Sequence, residues 1–295
     1  MVDDALIEKC VRNLESLGFS VKPGRNIRAA RGGYAGTVAE RLEDLHAMVR
    51  DRGVAGIWAA RGGSGCLALL PHIDYAAMRR HAKVVIGYSD ITALHLALYR
   101  RAGLVTFHGP VASSTFSDFS VGQLEAVLLD AQPEWTFHIP DAGLAKAAEQ
   151  PQFAPRTFRG GIAEGRLSGG NLSTLCALVG TPYAAPARGH LLFLEEVAEA
   201  PYRIDRLLTQ LRYAGVLGSA AGVLLGVFQK CEAPPGEASL TLAQTLDDHF
   251  SKARVPAGYG YAFGHIPHQY TLPVGARARL DADARTLTLL EAAVS

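Results

Sequence analysis

The stretch Lys83-Val-Val-Ile-Gly87, followed by Tyr88-Ser89-Asp90 and a helical segment at residues 91–101, decides the fold. The short β-branched run predicts a buried strand, and the apolar residues after Asp90 recur at helical spacing. The chain therefore passes from strand to helix within three residues, which is typical of α/β sheets. Because ligands bind at the carboxyl edge of such sheets, we expect Ser89 to lie at a binding site.

Other segments repeat this alternation of short strands and helices. Residues 54–59 predict a second buried strand, and Thr37-Val-Ala-Glu40 is a capping box that opens a helix. The pattern predicts a parallel sheet with helices on both faces, and it fades after Asp141 into Ala, Gln, Pro and Gly. We therefore predict a flavodoxin-like parallel-sheet α/β domain at residues 1–145 and a linker at residues 146–162. A smaller mixed β/α domain of the swivelling type follows at residues 163–295.

The composition excludes several classes of protein. The 295 residues include 29 basic and 28 acidic side chains, a balance that excludes a strongly basic nucleic-acid binder. An apolar fraction of 48% allows a large core. The four cysteines form no Cys-x-x-Cys pair, so we expect neither a zinc site nor a disulfide framework. Since neither a signal peptide nor a long apolar run is found, we expect a cytoplasmic protein without membrane contact.

Ser89 is the candidate nucleophile. The tight turn lifts its hydroxyl above the sheet edge, and the backbone N–H of Asp90 can stabilise an oxyanion there. Ile91 occupies the last position of the Gly-x-Ser-x-Gly elbow, so a helix cap is the alternative interpretation of Ser89. A nucleophilic serine needs a base, and among ten histidines His265 is the candidate because a Gly- and Pro-flanked loop carries it.

The acid that pairs with this histidine has two candidates, and two other motifs allow a metal site or a phosphate loop. Glu195 ends a very apolar strand, where an acid is costly unless it is paired, and Glu196 beside it is the alternative. His265 and His268 also allow a metal pair, but no third ligand has suitable spacing, so we expect no metal. The loop Arg61-Gly-Gly-Ser-Gly65 lacks the phosphate-loop pattern and favours a glycine turn whose N–H groups face a neighbouring site.

With these residues in order, the chain resembles the LD-carboxypeptidases, cytoplasmic serine peptidases of murein recycling. The microcin C self-immunity hydrolases are a sister branch of that family. The resemblance covers nearly the whole chain. Its motifs stand at residues 34–45, 60–65, 87–92, 108–110, 169–172, 194–206 and 264–275.

The resemblance implies a catalytic triad of Ser89, Glu195 and His265. It also implies an oxyanion hole from the backbone N–H groups of Asp90 and Gly63. The implied reaction is hydrolysis of the L,D bond before the terminal D-alanine of murein tetrapeptide, without metal or organic cofactor. We expect a small peptide as substrate, no nucleic-acid or membrane partner, and a homodimer.

Three further residues are candidates for substrate binding. Asn171 starts a helix near the expected cleft, and Arg206 offers a guanidinium, although it is also suited to brace the domain interface. Ser64 stands where the family usually carries Tyr, so we expect substrate contacts there to differ. Two alternative functions stay open, namely a peptidyl-adenylate hydrolase of the microcin type and a non-catalytic α/β binding module.

Overall fold

The computed structural model describes residues 3–150, 153–234 and 236–294, which form two mixed β-sheets packed with helices. The helices are α1 (Asp4–Ser16), α2 (Val38–Arg50), α3 (Tyr75–Arg80), α4 (Thr92–Ala102), α5 (Asp118–Leu124), α6 (Asp141–Glu149), α7 (Leu172–Ala177), α8 (Pro201–Tyr213), α9 (Val216–Ser219) and α10 (Leu242–Phe250). The strands are β1 (Gly56–Trp58), β2 (Val84–Gly87), β3 (Thr106–His108), β4 (Trp135–Phe137), β5 (Arg156–Arg159), β6 (Ile162–Asn171), β7 (His190–Glu195), β8 (Gly222–Gly226), β9 (Ala257–Tyr261), β10 (Leu272–Val274), β11 (Arg277–Asp281) and β12 (Thr286–Leu289).

The smaller sheet carries the strand-to-helix turn and has the order β1-β2-β3-β10. Its first three strands are parallel, as the sequence predicts, with Ile57 opposite Val85 and Ile86 opposite Phe107. The fourth strand, β10, comes from the far end of the chain and runs antiparallel to β3. The C-terminal part of the chain therefore completes the N-terminal sheet.

The larger sheet has the order β4-β12-β11-β6-β7-β8-β9-β5. Strands β6 to β9 are parallel, and β11 and β12 form an antiparallel hairpin beside β6. In the register of β6 and β7, Asn171 is opposite Glu195. The carboxyl ends of these two strands thus bring both polar side chains to one edge.

The segment predicted to be a linker contains regular structure in its described part. Residues 146–162 include the end of α6 and the whole of β5, which pairs with β9, while residues 151–152 lie outside the described range. Strand β4 precedes this segment and yet pairs with β12 of the larger sheet. The division of the chain into two domains stays a prediction.

Helix α4 lies between the two sheets and is buried along most of its length. Its apolar side chains belong to one hydrophobic cluster that also contains Val85 of β2, Leu175 of α7, Leu192 of β7 and Leu208 of α8. Because α4 begins three residues after Ser89, this core fixes the turn against the larger sheet. Among the described residues, no helix combines the length and apolarity needed to span a membrane.

Candidate active site

Ser89 lies in a strained turn at the carboxyl end of β2. It begins a 3₁₀ turn, Ser89–Ile91, and its φ of 64° falls in the left-handed region. That conformation costs an L-residue about 1–2 kcal/mol, and such strain clusters at functional sites. A Cβ at the preceding Gly87 would lie 2.9 Å from Ile91 Cγ1, so the turn requires glycine there. The elbow predicted from the sequence is therefore present.

A buried histidine forms a hydrogen bond with the last residue of the strand that leads into this elbow. His95 Nε2 lies 2.8 Å from the carbonyl oxygen of Gly87. Because a carbonyl only accepts, Nε2 carries the proton and donates it, which fixes the tautomer. Burial lowers the pKa of His95 to about 4, so the imidazole is neutral at pH 7. Sequence reasoning assigned His95 no such role, although a histidine inside the apolar run Ala93-Leu-His-Leu96 was the available signal.

The glycine loop at residues 61–65 borders the elbow. A Cβ at Gly62 would meet Ser89 Cβ at 2.9 Å and Ser89 Oγ at 3.1 Å, so the loop backbone passes directly over the hydroxyl. Gly63 is exposed and has a φ of 138°, which favours glycine. The carboxylate of Asp90 accepts a 2.9 Å hydrogen bond from the N–H of Cys66 and ties the end of the loop to the elbow. Sequence reasoning gave Asp90 only a backbone role.

Glu195 and His265 are in direct contact. Oε2 of Glu195 lies 2.8 Å from Nδ1 of His265, at the end of β7. The carboxylate is fully buried, whereas the imidazole is 21% exposed. Burial raises the pKa of Glu195, and the hydrogen bond from His265 opposes that shift. A carboxylate at this distance accepts the Nδ1 proton, which leaves Nε2 free to act as a base.

Tyr88 connects Ser89 with this pair. Its ring stands edge-on to the imidazole of His265, with 4.8 Å between ring centroids. Ser89 is the next residue, so elements of both sheets bring the three candidate residues into one region. Among the described residues, no hydrogen bond joins the Ser89 hydroxyl to His265. Such bonds are often long before substrate binds.

Asn171 and Glu196 form a buried hydrogen-bond network beside Glu195. Asn171 caps α7, its side-chain oxygen accepts from Thr174, and its amide donates to Glu196 Oε1 at 2.9 Å. Glu196 also accepts from the N–H and the hydroxyl of Ser173 and from the N–H of Val197. The side chain of Asn171, which is predicted to bind substrate, therefore already has protein partners for its amide and its oxygen. Glu196 is buried, as Glu195 is.

The loop that carries His265 is fastened to the start of α5. Ser120 is fully buried, and its hydroxyl donates to the carbonyl of Pro267 at 3.1 Å and accepts from the N–H of Gln269 at 2.9 Å. Gln269 in turn donates from Nε2 to the carbonyl of Ile266. Sequence reasoning missed Ser120, because nothing near residue 120 indicates contact with residue 267.

The other predicted side chains lie apart from this cluster. Ser64 is exposed in the glycine loop. Arg206 is exposed on α8, and its guanidinium lies over the ring of Tyr202 at 5.7 Å. Nδ1 of His268 bonds to Ser117 Oγ, whereas Nδ1 of His265 faces Glu195, so the two imidazoles have different partners. Within the described ranges, no group of three metal-ligating side chains comes together.

Sequence comparison assigns this architecture to a family. Residues 1–109 match the LD-carboxypeptidase N-terminal domain, and residues 164–280 match the LD-carboxypeptidase C-terminal domain. The chain belongs to the LD-carboxypeptidase family. The resemblance found in the motifs is thereby confirmed.

Individual members of the family align over nearly their whole length. A Bacillus subtilis (strain 168) protein named "Probable murein peptide carboxypeptidase" is 38% identical, with 99% of this chain and 89% of that protein covered. The murein tetrapeptide carboxypeptidase of Pseudomonas aeruginosa is 32% identical, with 94% and 88% covered. The crystal structure of muramoyltetrapeptide carboxypeptidase from Oxalobacter formigenes superposes with a TM-score of 0.82 at 28% identity, covering 98% of this chain and 95% of that one.

Proposed function

We propose that this LD-carboxypeptidase family member is a serine carboxypeptidase with Ser89, His265 and Glu195 as its catalytic triad. The contact of 2.8 Å between Glu195 Oε2 and His265 Nδ1 carries the proposal. A buried acid that fixes an imidazole near a strained serine is the arrangement that activates a hydroxyl. The substrate is murein tetrapeptide, and the bond cleaved is the L,D bond before its terminal D-alanine. The names of the relatives from B. subtilis and P. aeruginosa support this choice.

Each member of the triad has a defined role in this reaction. Ser89 Oγ attacks the scissile carbonyl while His265 Nε2 takes its proton, and the carboxylate of Glu195 stabilises the imidazolium that forms. His265 then gives the proton to the leaving amine of D-alanine, which leaves an acyl-enzyme on Ser89. Water attacks this ester with His265 again acting as the base, and Ser89 regains its proton.

The oxyanion of the tetrahedral intermediate needs donors near Ser89. We assign this role to the backbone N–H groups of Asp90 and Gly63. Asp90 follows Ser89 in the elbow, and Gly63 follows the residue that packs against the serine. Donors fixed by the backbone require no reorganisation during the reaction, which makes them effective in the transition state.

The setting of the reaction is part of the proposal. Ser89 comes from the smaller sheet and the Glu195–His265 pair from elements attached to the larger one, which fits a site between the two predicted domains. The four cysteines are free thiols, as suits a reducing cytoplasm. We propose a cytoplasmic role in murein recycling, by a homodimer without a metal or organic cofactor.

Three peptides test the proposed specificity. We expect tetrapeptide ending in D-alanine to be cleaved, and its C-terminal amide and its L-alanine epimer to be cleaved at least about tenfold more slowly. The measurement is kcat/KM for each peptide with purified protein. Equal values for the three would contradict a dedicated carboxypeptidase and favour the peptidyl-adenylate hydrolase. A chain that does not react with a fluorophosphonate would favour the binding module.

A further inference from the structure

Arg41 is a half-buried cation on α2 that lies against the glycine loop. Its Nη1 donates to the carbonyl of Gly65 at 3.1 Å, and its Nε donates to the carbonyl of Thr37 at 3.4 Å. The guanidinium lies over the ring of Tyr34 at 5.9 Å. A Cβ at Gly65 would come within 2.8 Å of both Arg41 Nη1 and Tyr34 Cδ1. The orientation of the guanidinium is therefore fixed from three sides.

No acidic partner accompanies this charge in the part of the chain that the structure describes. A guanidinium has five N–H donors, and here two of them bond to backbone carbonyls. Arg50 on the same helix differs, since it pairs with Asp74 at 2.9 Å. A planar cation held in place with donors left over is suited to bind a carboxylate.

The position of Arg41 relative to the elbow fits such a role. Gly65 accepts from Arg41, and the next N–H, that of Cys66, bonds to the carboxylate of Asp90. These two bonds and one peptide unit place Arg41 Nη1 within about 8 Å of Asp90 Oδ2. Ser89 is adjacent to Asp90 in the same turn. Ser89 also packs against Gly62 and Arg41 bonds to Gly65, so the candidate nucleophile and the cation contact the same short loop three residues apart.

A carboxypeptidase needs a group that binds the terminal carboxylate of its substrate close to the nucleophile. Its terminal carboxylate is one residue away from the scissile bond, at about 4 Å from the carbon that is attacked. We propose that the guanidinium of Arg41 binds this carboxylate, with Tyr34 and the Gly65 carbonyl holding its plane. The inference rests on the proposed carboxypeptidase function and names the residue that makes the enzyme specific for a free C-terminus.

Two of the side chains predicted to bind substrate, Asn171 and Arg206, fit the binding of a carboxylate less well. The amide of Asn171 donates to Glu196, and its oxygen caps α7. Arg206 is exposed on α8, and its guanidinium stacks on Tyr202. Arg41 combines partial burial, a fixed plane and contact with the glycine loop. The motif at residues 34–45 contained both Tyr34 and Arg41, but sequence alone does not show that Gly65 lies between them.

The test compares two peptides and one probe in Arg41→Ala and the wild type. The peptides are tetrapeptide ending in D-alanine and its C-terminal amide, and the probe is a fluorophosphonate, which carries no carboxylate. We expect Arg41→Ala to lower kcat/KM for the free acid about 10- to 100-fold while the amide changes little. The preference for acid over amide then disappears, and labelling of Ser89 proceeds at the wild-type rate. Arg50→Ala is the matched control and should keep the preference.

Arg41→Lys is the second variant, since it keeps the charge and loses the planar fork. Its preference for the acid should fall between those of the wild type and Arg41→Ala. An undiminished preference in Arg41→Lys or Arg41→Ala would overturn the proposal, and so would equal loss of both peptide reactions together with labelling. A wild-type protein that reacts with the probe but cleaves neither peptide would instead contradict the proposed function and remove the basis of this inference.

Discussion

Thr92 Oγ1 accepts a 2.9 Å hydrogen bond from the backbone N–H of Asn171, and this bond joins α4 to the end of β6. Both groups are buried. Thr92 is three residues from Ser89, and Asn171 is opposite Glu195 in the larger sheet. A Cβ at Gly170 would approach Thr92 Oγ1 to 2.4 Å, so the two elements touch through glycine. These contacts fix the position of the candidate nucleophile, Ser89, relative to the candidate acid, Glu195.

Glu195→Gln should lower kcat by about 10³- to 10⁴-fold with little change in folding, because an amide neither fixes the Nδ1 tautomer nor stabilises imidazolium. Steady-state kinetics on murein tetrapeptide measure this. Glu196→Gln is the matched comparison on the adjacent residue. It should cost less than about tenfold in kcat but about 1.5–3 kcal/mol in the free energy of unfolding, since four donors point at that carboxylate. Reversed kinetic effects would mean that Glu196 is the catalytic acid.

Ser89→Gly and Ser89→Ala should both abolish turnover but differ in stability. The φ of 64° strains serine and alanine alike, whereas glycine adopts it freely. We expect Ser89→Gly to be more stable than Ser89→Ala by about 1 kcal/mol, as measured by urea unfolding. Equal stabilities would show that the turn is unstrained, and activity retained in either variant would reduce Ser89 to a helix cap.

The neutral state of His95 predicts acid sensitivity. Its pKa in the folded protein is about 4, below the ordinary value of 6.5, so the unfolded chain takes up the proton first as the pH falls. Stability should therefore decrease between pH 6.5 and pH 4, by up to about 3 kcal/mol for this residue. His95→Gln keeps a donor for Gly87 and removes the titration.

Urea unfolding of His95→Gln and the wild type at pH 7, 5.5 and 4.5 checks this. The variant should lose less stability on acidification than the wild type does. Part of the loss should remain, because burial also holds the pKa of His108 well below its usual range. His72→Gln, which replaces an exposed histidine, should behave like the wild type. Identical pH dependence in His95→Gln and the wild type would contradict the assignment.

Ser120 is expected to act as a positioning residue for His265. Ser120→Ala removes the bonds to Pro267 and Gln269, which lets the loop shift, and small displacements of a catalytic group cost about 10- to 100-fold in rate. We expect kcat to fall by that factor while KM changes less than about twofold. Ser168→Ala, at another fully buried serine, is the control. An equal fall in kcat for both variants would show a general loss of packing instead.

The sequence predicted the parts of the site that depend on local pattern. The elbow at Ser89 follows from a strand and a helix separated by three residues, and Glu195 stands out because a charge ends an apolar strand. The prediction that His265 joins them rested on its loop and on the family resemblance. The structure brings His265 to Glu195 and Tyr88, while the triad itself awaits experiment.

The missed features all depend on contacts between distant parts of the chain. Strand β10 completes the smaller sheet only because the chain returns to β3 after His265. Ser120 bonds to a loop almost 150 positions further on, and the guanidinium of Arg41 donates to the carbonyl of Gly65. Periodicity and turn chemistry report on neighbours within a few residues, so they carry no information on such pairs.

Mass spectrometry of murein tetrapeptide after incubation with wild-type protein and with Ser89→Ala tests the central claim most directly. The account predicts that the wild type converts the peptide to a product lighter by one alanine residue and releases D-alanine, and that Ser89→Ala leaves the peptide intact while remaining folded. Release of D-alanine by Ser89→Ala at the wild-type rate, or an intact peptide in both samples, would contradict it.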